Sequence, residues 1–568
     1  MRASDNSTLT FGNARGTMVR AMRETAKGQG IDIQLVAGTY VVLIGISVDP
    51  AKVGGLLGFT VERTDHTEGQ TYFLYNNLLF EANDQGAGSD YSTDKNPVQA
   101  FLWGDYSAKP AHTYTYAVTP RYGTPAKLTS GPSATATVTT EDPDDGTHGV
   151  WFNRGVAASA AYQRRFGNKD PRTVPNEEAL HWLSRGLEEA MVAFIGRATD
   201  SRFALRASFY EFDYDPALEA FRVAANAGAD VRITYNKLGE VGKSDAKAIE
   251  EAQIKELIIG RSKVSISHNK FIVLLEDEKP VAVWTGSTNV TEGGIYGHAN
   301  VGHRISDPGL AASYLAYWEQ ISKNPARDDI EAYDDPNPKF PKGRPRAKLT
   351  TVFSPRSNID SLDWYVRLAE SSRQAMFLTA AFGLQKEINP AFMGDVDYLR
   401  YLLLNKEEGE IEALRGDPDN VVAAGEYTGT GAYKTWIAQA LNRLGVHVHY
   451  VHTKLMIVDP LTDDPIVITG SGNWSNESCE DNDENMVVIR GDTRVADIYL
   501  TEFMRLFDHY RLRATETPKT AVAPGPEAPA AANPAKVHLA VDDSWAADYY
   551  VDGHPRAKER VMFAGVAP

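Results

Sequence analysis

The sequence predicts an α/β protein of two duplicated α-β-α halves forming a pseudo-dimer, preceded by a small all-β sandwich. Three observations predict it. Residues 31–141 break into about seven short β-type runs separated by turn residues. From residue 147 onward helical and strand periods alternate, which is the pattern of a mixed or parallel sheet. A polar set, His-x-Lys followed by Gly-Ser-x-Asn, occurs twice at one spacing.

The chain has 568 residues, 42% hydrophobic and 23% charged, enough for several cores. Its formal net charge of −17 argues against a bulk, sequence-independent grip on nucleic acid and leaves room for a local basic cleft. Cys479 is the single cysteine, so no intramolecular disulfide framework exists. Met1 to Gly30 is polar and lacks the apolar stretch of a secretory signal. The longest apolar run, Tyr40 to Ile46, is too short to span a bilayer. The expectation is a cytoplasmic monomer, with secretion left open.

Residues 1–30 read as a leader. In 31–141 the β-type runs include Val41 to Ile44, Gly58 to Arg63, Thr71 to Leu74, His112 to Val118 and Ala134 to Thr140. The Tyr114-x-Tyr116-x-Val118 pattern, then Gly123 and a Ser/Thr-rich last strand, resembles the final hairpin of a fibronectin type III domain. No catalytic constellation falls here, and an interaction or spacer module is expected. Glu141 to Gly146 is an acidic, Pro/Gly-containing hinge. The first half, 147–330, is expected to contain a helix over Glu177 to Ala198, a strand over Phe203 to Phe212, a helix over Ala217 to Ala227, a strand over Val231 to Tyr235 and a closing helix over Leu310 to Ile321. Asn324 to Arg346 reads as a linker or irregular loop. The second half, 347–513, repeats the order: a helix over Leu362 to Ser371, a strand over Ala375 to Ala380, a helix over Tyr433 to Leu444, a strand over Val446 to Val451 and a long helix over Ala496 to Leu512. Residues 514–536 form an Ala/Pro-rich linker. The tail, 537–568, carries Trp545, Tyr549 and Tyr550 and is expected to dock onto the body.

The two polar sets are His268, Lys270, Gly286, Ser287 and Asn289, and His452, Lys454, Gly470, Ser471 and Asn473. From His to Gly is 18 positions in both, and from His to Asn is 21 in both. Period-2 alternation puts each His and its Lys on one strand face. An imidazole beside a fixed cation suits a phosphate.

At these residues the chain resembles the phospholipase D superfamily, with its paired H-x-K-x4-D motifs, over about residues 150–513. The second set matches in full, with Asp459 and Asn482-Asp483-Glu484-Asn485. The first has Leu275 at the Asp position, with Asp277 two residues on, and Ala299-Asn300 for the downstream Glu-Asn pair if the spacing shifts by one. Tyrosyl-DNA phosphodiesterases of the same superfamily also lack that Asp.

The resemblance implies two-step phosphodiester exchange without a metal or other cofactor. His268 attacks phosphorus to give a phosphohistidine, and His452 serves as general acid and then base. Two histidines are needed because the roles require opposite protonation states. Lys270 and Lys454 supply fixed charge, and Asn289 and Asn473 supply amide donors to the non-bridging oxygens. Ser287 and Ser471 are candidate substrate-binding donors. Glu484 is expected to accept from His452; no equivalent acid is evident for His268, with Glu292 a weak guess. Asp459 belongs to the motif and is expected to buttress the strand turn. A metal pair at His447 and His449 lacks an acidic or cysteine partner at ligand spacing. His298 and His303 flank Asn300, at the cleft or on polar surface. Trp474 is core or cleft wall.

The first expectation is a phospholipase D-like lipase, hydrolysing phospholipids or transferring the phosphatidyl group, in transient contact with a membrane surface. The alternatives are a nuclease or nucleic-acid-end phosphodiesterase, and a non-catalytic phosphate-binding protein.

Overall fold

The computed structural model describes residues 22–155, 159–405, 411–425, 451–516 and 538–567. The first 21 residues of the leader, the helix expected over Tyr433 to Leu444, the strand expected from Val446, the His447/His449 pair and residues 517–536 of the linker lie outside these.

The N-terminal region forms two sheets around one apolar core. β1 (Arg23–Lys27), β2 (Ile31–Ala37), β3 (Val42–Val48) and β6 (Leu102–Asp105) form a four-stranded sheet. β4 (Gly58–Asp65), β5 (Gln70–Phe73), β7 (Thr113–Thr124), β8 (Lys127–Ser130) and β9 (Ala134–Thr139) form the other. Alternation decides the faces. Tyr114, Tyr116 and Val118 of β7 point inward with Ala134, Ala136 and Val138 of β9, and the threonines between them point outward. Arg63 and Tyr116 both bond the buried Asp105 carboxylate, so the charge in this core is paired.

Two seven-stranded sheets follow. The first comprises β10 (His148–Phe152), β11 (Phe203–Phe209), β12 (Asp230–Asn236), β13 (Ile258–Arg261), β14 (Lys270–Glu276), β15 (Lys279–Gly286) and β16 (Val301–Ile305), in the order 10-16-15-14-11-12-13. The second comprises β17 (Leu349–Ser354), β18 (Ala375–Ala380), β19 (Leu399–Leu404), β20 (Asn420–Ala424), β21 (Leu455–Val458), β22 (Ile466–Gly470) and β23 (Glu484–Arg490), in the order 17-23-22-21-18-19-20. The two orders are the same, and so are the directions: parallel from the fifth strand to the seventh, antiparallel elsewhere. Their central strands are apolar on both faces, as strands covered on both sides must be.

One apolar cluster lies between the two sheets. It joins Phe271 and Val273 of β14 to Leu455 and Ile457 of β21, and adds Tyr499, Phe503 and Phe507 from the helix Thr493–Glu516. Tyr317, from the helix Pro308–Ile321, stacks on Phe353 of β17 with centroids 4.3 Å apart. Separate clusters cover the outer face of each sheet.

Several elements differ from expectation. The helix expected over Glu177 to Ala198 is two, Glu178–Ser184 and Leu187–Ile195, split where Arg185 and Gly186 take positive φ. The segment read as linker contains the helix Arg327–Asp334. The last long helix runs on to Glu516, into the start of the expected linker. In the tail, a turn at Asp543–Tyr550 and the helix Pro555–Ala564 pack on the first sheet. Ala546 and Tyr549 enter the core between the two N-terminal sheets, and Trp545 stacks on Phe101 at 5.4 Å. No helix among the described residues is long and apolar enough to cross a membrane.

Candidate active site

The glycine in each Gly-Ser-x-Asn set has a steric cause. Gly286 ends β15 with φ 139°, and a Cβ there would lie 2.2 Å from the Val301 carbonyl oxygen. Gly470 ends β22 with φ 157°, and a Cβ would lie 2.1 Å from the Asn485 carbonyl oxygen. Only glycine lets either strand cross its neighbour so closely. The serine after each glycine then turns beneath the sheet end. Ser471 Oγ donates to Glu484 (2.6 Å) and accepts from the Asn485 N–H (2.9 Å); Ser287 Oγ donates to Asn300 Oδ1 (2.8 Å) and accepts from the Val301 N–H (3.1 Å). These hydroxyls hold the next residues of the site.

Each histidine is held by the opposite half. His268 N–H donates to the Asp483 carbonyl (2.9 Å), and His452 N–H donates to the Ala299 carbonyl (3.1 Å). His268 Nδ1 lies 2.8 and 2.9 Å from the two Glu484 oxygens. His452 Nδ1 lies 2.9 Å from Asn300 Oδ1. The Asn300 amide is itself oriented, because its Nδ2 donates to the Gly294 carbonyl (2.8 Å). A carboxylate and a carbonyl oxygen can only accept, so both rings carry their proton on Nδ1 and keep Nε2 for chemistry.

This exchange corrects the expected pairing of Glu484 with His452: Glu484 serves His268, and neither Glu292 nor Asp277 is required there. It also removes the one-residue shift. Asn300 is 13 residues after Ser287, as Glu484 is after Ser471, so Asn300 occupies the Glu484 position and Ala299 that of Asp483.

Lys270 Nζ donates to the His268 carbonyl (2.7 Å), and Lys454 Nζ to the His452 carbonyl (2.8 Å). Burial pushes Lys270 down to about 8, with Glu484 and Glu211 pulling the other way. Burial, then the like charge of Lys270, holds Lys454 well below the ordinary lysine range. Burial also takes His268 down to about 4, against the pull of Glu484, and lowers His452 with help from Lys454. The free site therefore holds both imidazoles neutral beside two desolvated lysines.

Two neighbours, Tyr210 and Glu211, escape the sequence reading, which leaves a third, His298, open between cleft and polar surface. Tyr210 sets its ring edge-on to His268 at 5.0 Å and beneath Lys270 at 5.5 Å. His298 stacks on His452 at 5.1 Å. Glu211 accepts a hydrogen bond from Asn289 Nδ2. An acid inside the expected strand Phe203 to Phe212 was the available signal for Glu211; nothing local marks Tyr210. Asn473 receives a main-chain anchor, its N–H donating to Ser478 Oγ (3.1 Å).

Asp459 stands apart. Seven residues along an extended chain is about 23 Å. Its carboxylate accepts from the N–H groups of Arg373 and Gln374 (both 2.8 Å) and pairs with Arg344, tying the approach to β18. Leu275 packs in the shared core. His303 is buried between His148 and Tyr499, at 2.9 and 3.0 Å, and lines no cleft. Trp474 is core, donating to the Thr379 carbonyl (2.8 Å).

Residues 401–507 match the family described as "Cardiolipin synthase, PLD-like domain", so this part of the chain carries a phospholipase D-like domain. No curated protein matches the chain. Among solved structures it is similar to a polyphosphate kinase from Porphyromonas gingivalis, at 12% identity and TM-score 0.39 over 56% of this chain, and it spans 48% of that kinase's length. It is similar to phosphatidylserine synthase of Haemophilus influenzae (10% identity, TM-score 0.41, 57% of this chain and 85% of that one). It is also similar to the yeast tyrosyl-DNA phosphodiesterase (13% identity, TM-score 0.29, 54% of this chain and 88% of that one).

Proposed function

We propose that this chain is a metal-independent phosphodiesterase of the phospholipase D type, acting on phospholipids through a phosphohistidine. The observation that carries it is the exchange of partners between the halves, which leaves two Nε2 atoms beside two buried lysines. The different partners divide the labour. Attack by His268 Nε2 on phosphorus makes an imidazolium, and the Glu484 carboxylate stabilises that charge as it forms. His452 has only the neutral Asn300 behind it, so its protonated form is the less stabilised and the readier to give up a proton. The P–N bond forms as the bond to the leaving oxygen breaks, and that oxygen takes the proton from His452 Nε2. Water, or an alcohol, then loses a proton to His452 as it attacks, and the P–N bond breaks. The negative charge of the substrate phosphate offsets the lysine field and lets His452 take up the proton it must deliver.

Two features support lipid over nucleic acid. The net charge of −17 disfavours a polyanion, and the matched family is described by a lipid-synthesising enzyme. Phe382, 44% exposed just past β18, adds an apolar surface on the second half.

The test is release of head group from phosphatidylcholine vesicles with excess chelator present. Turnover is expected to persist, and to be lost in both His268→Ala and His452→Ala. With a p-nitrophenyl ester, whose leaving group needs no acid, His452→Ala is expected to accumulate an acid-labile phosphohistidine and His268→Ala to form none. Loss of activity with chelator, or a wild-type rate in either variant, sinks the reading. Nicked plasmid without head-group release turns it to the nuclease alternative.

A further inference from the structure

Glu211 follows β11, whose Phe209 lies opposite Lys270 of β14. It is 6% exposed. Its side chain accepts from Asn289 Nδ2 and its main-chain carbonyl from the Val290 N–H (3.1 Å), so it grips the Asn289-Val290 turn twice. Several charged or titratable groups act around it: Lys270 of β14, Lys454 just before β21, Asp213 in its own loop, and Asp245 from the helix Gly239–Glu251. Tyr210, its neighbour in sequence, feels Glu211, Asp245 and Glu484 of β23 together. In the second half Leu378 lies opposite Met456, as Ala207 lies opposite Ile272 in the first. Carrying that register on puts Phe382 at the place of Glu211, so this acid belongs to one half only.

We propose that Glu211 is a positioning residue of this site, fixing Asn289 and supplying a second negative charge against the lysine pair, so that the cleft takes a singly charged phosphodiester in preference to a doubly charged phosphate ester. The proposal rests on the phosphodiester reading above. With both imidazoles neutral, the two lysines face two carboxyl groups, Glu484 and Glu211. A diester adds one negative charge and a monoester two, and uncompensated charge is costly in a desolvated cleft. Glu211 answers the incoming anion by taking a proton. Burial has already raised its carboxyl to about 7, so the proton comes at little cost.

The test is calorimetric titration of the intact protein with two anions that do not titrate near neutrality, diethyl phosphate with one charge and sulfate with two. Sulfate is expected to bind the wild type roughly fourfold more weakly at pH 7.5 than at pH 6, the change that a carboxyl ionising near pH 7 gives over that range. Diethyl phosphate should change less. Glu211→Gln should flatten the sulfate dependence, and Glu211→Asp should restore it. Equal pH dependence in the wild type and a folded Glu211→Gln overturns the proposal while leaving the phosphodiester reading standing. Failure of both anions to bind the wild type removes that reading and the proposal with it. If Glu211→Gln does not fold, the wild type decides alone. Sulfate titrations in buffers of different ionisation enthalpy should show about half a proton taken up at pH 7, where a carboxyl ionising near 7 is half protonated before binding, and no uptake overturns the proposal.

Discussion

His268 carries two opposing influences, and their balance sets both its chemistry and its contribution to stability. The Glu484 carboxylate favours the imidazolium, burial disfavours it, and burial wins, leaving the ring neutral down to about pH 4. A neutral ring is the form that attacks phosphorus. In the unfolded chain the same ring ionises near 6.5, so between those values the unfolded state binds the extra proton. Stability from this residue is therefore full above pH 6.5 and is lost as pH falls toward 4. From pH 7 to pH 5 the loss is about 2 kcal/mol by that linkage. Denaturant unfolding of His268→Asn should show a smaller decline over that interval than the wild type. An identical decline in both would contradict a neutral buried His268. The lone buried cysteine, Cys479, takes no part: burial pushes its thiol up to about 11, and it sits against Ser361 Oγ at 3.4 Å.

At the scale of elements, the site depends on how β15 and β22 end. Gly470→Ala places a methyl within 2.1 Å of a backbone oxygen, and β22 must move to relieve it. Ser471 moves with it, and Ser471 positions Glu484. The expected result is a loss of roughly 2–4 kcal/mol in unfolding free energy, together with a kcat that falls more than KM rises. Gly286→Ala should act likewise through Ser287 and Asn300, and an unchanged melting temperature in both would refute the steric account. The same elements explain what was legible beforehand. The equal offsets of the two His-x-Lys sets reflect hairpins of equal total span and strands in the same order, so the repeat could be read along the chain. The partners of the histidines could not, because each bond crosses from one half to the other. Glu484 is 32 residues from His452 and 216 from His268, and the longer separation is the real contact. Asn300 was misjudged for a simpler reason: matching on residue type, Glu-Asn against Ala-Asn, overrode matching on spacing from Ser287. The helix expected over Glu177 to Ala198 was misread at its middle, at Arg185-Gly186, where left-handed residues break an apolar period that runs through unbroken.

Over the whole molecule, the tail and the sandwich are one packing unit. The helix Pro555–Ala564 crosses β3 so tightly that a Cβ on Gly45 would lie 1.9 Å from the Phe563 carbonyl oxygen. The same helix reaches the second half, where Glu559 accepts from the Tyr401 hydroxyl (2.9 Å) and Lys558 pairs with Asp419 (2.7 Å). Phe563→Ala, remote from the site, is expected to cost roughly 3 kcal/mol as a core aromatic truncation with kcat retained. A stability loss below 1 kcal/mol would show that the tail only rests on the surface. The arrangement also imposes an order on synthesis. Strands β1 to β9 come before both seven-stranded sheets in the chain, yet Trp545, Tyr549 and Phe563, which cover Phe101 and β3, come after them. The N-terminal β module therefore waits, one face uncovered, through the making of both seven-stranded sheets, and closes only when the segment that follows them arrives.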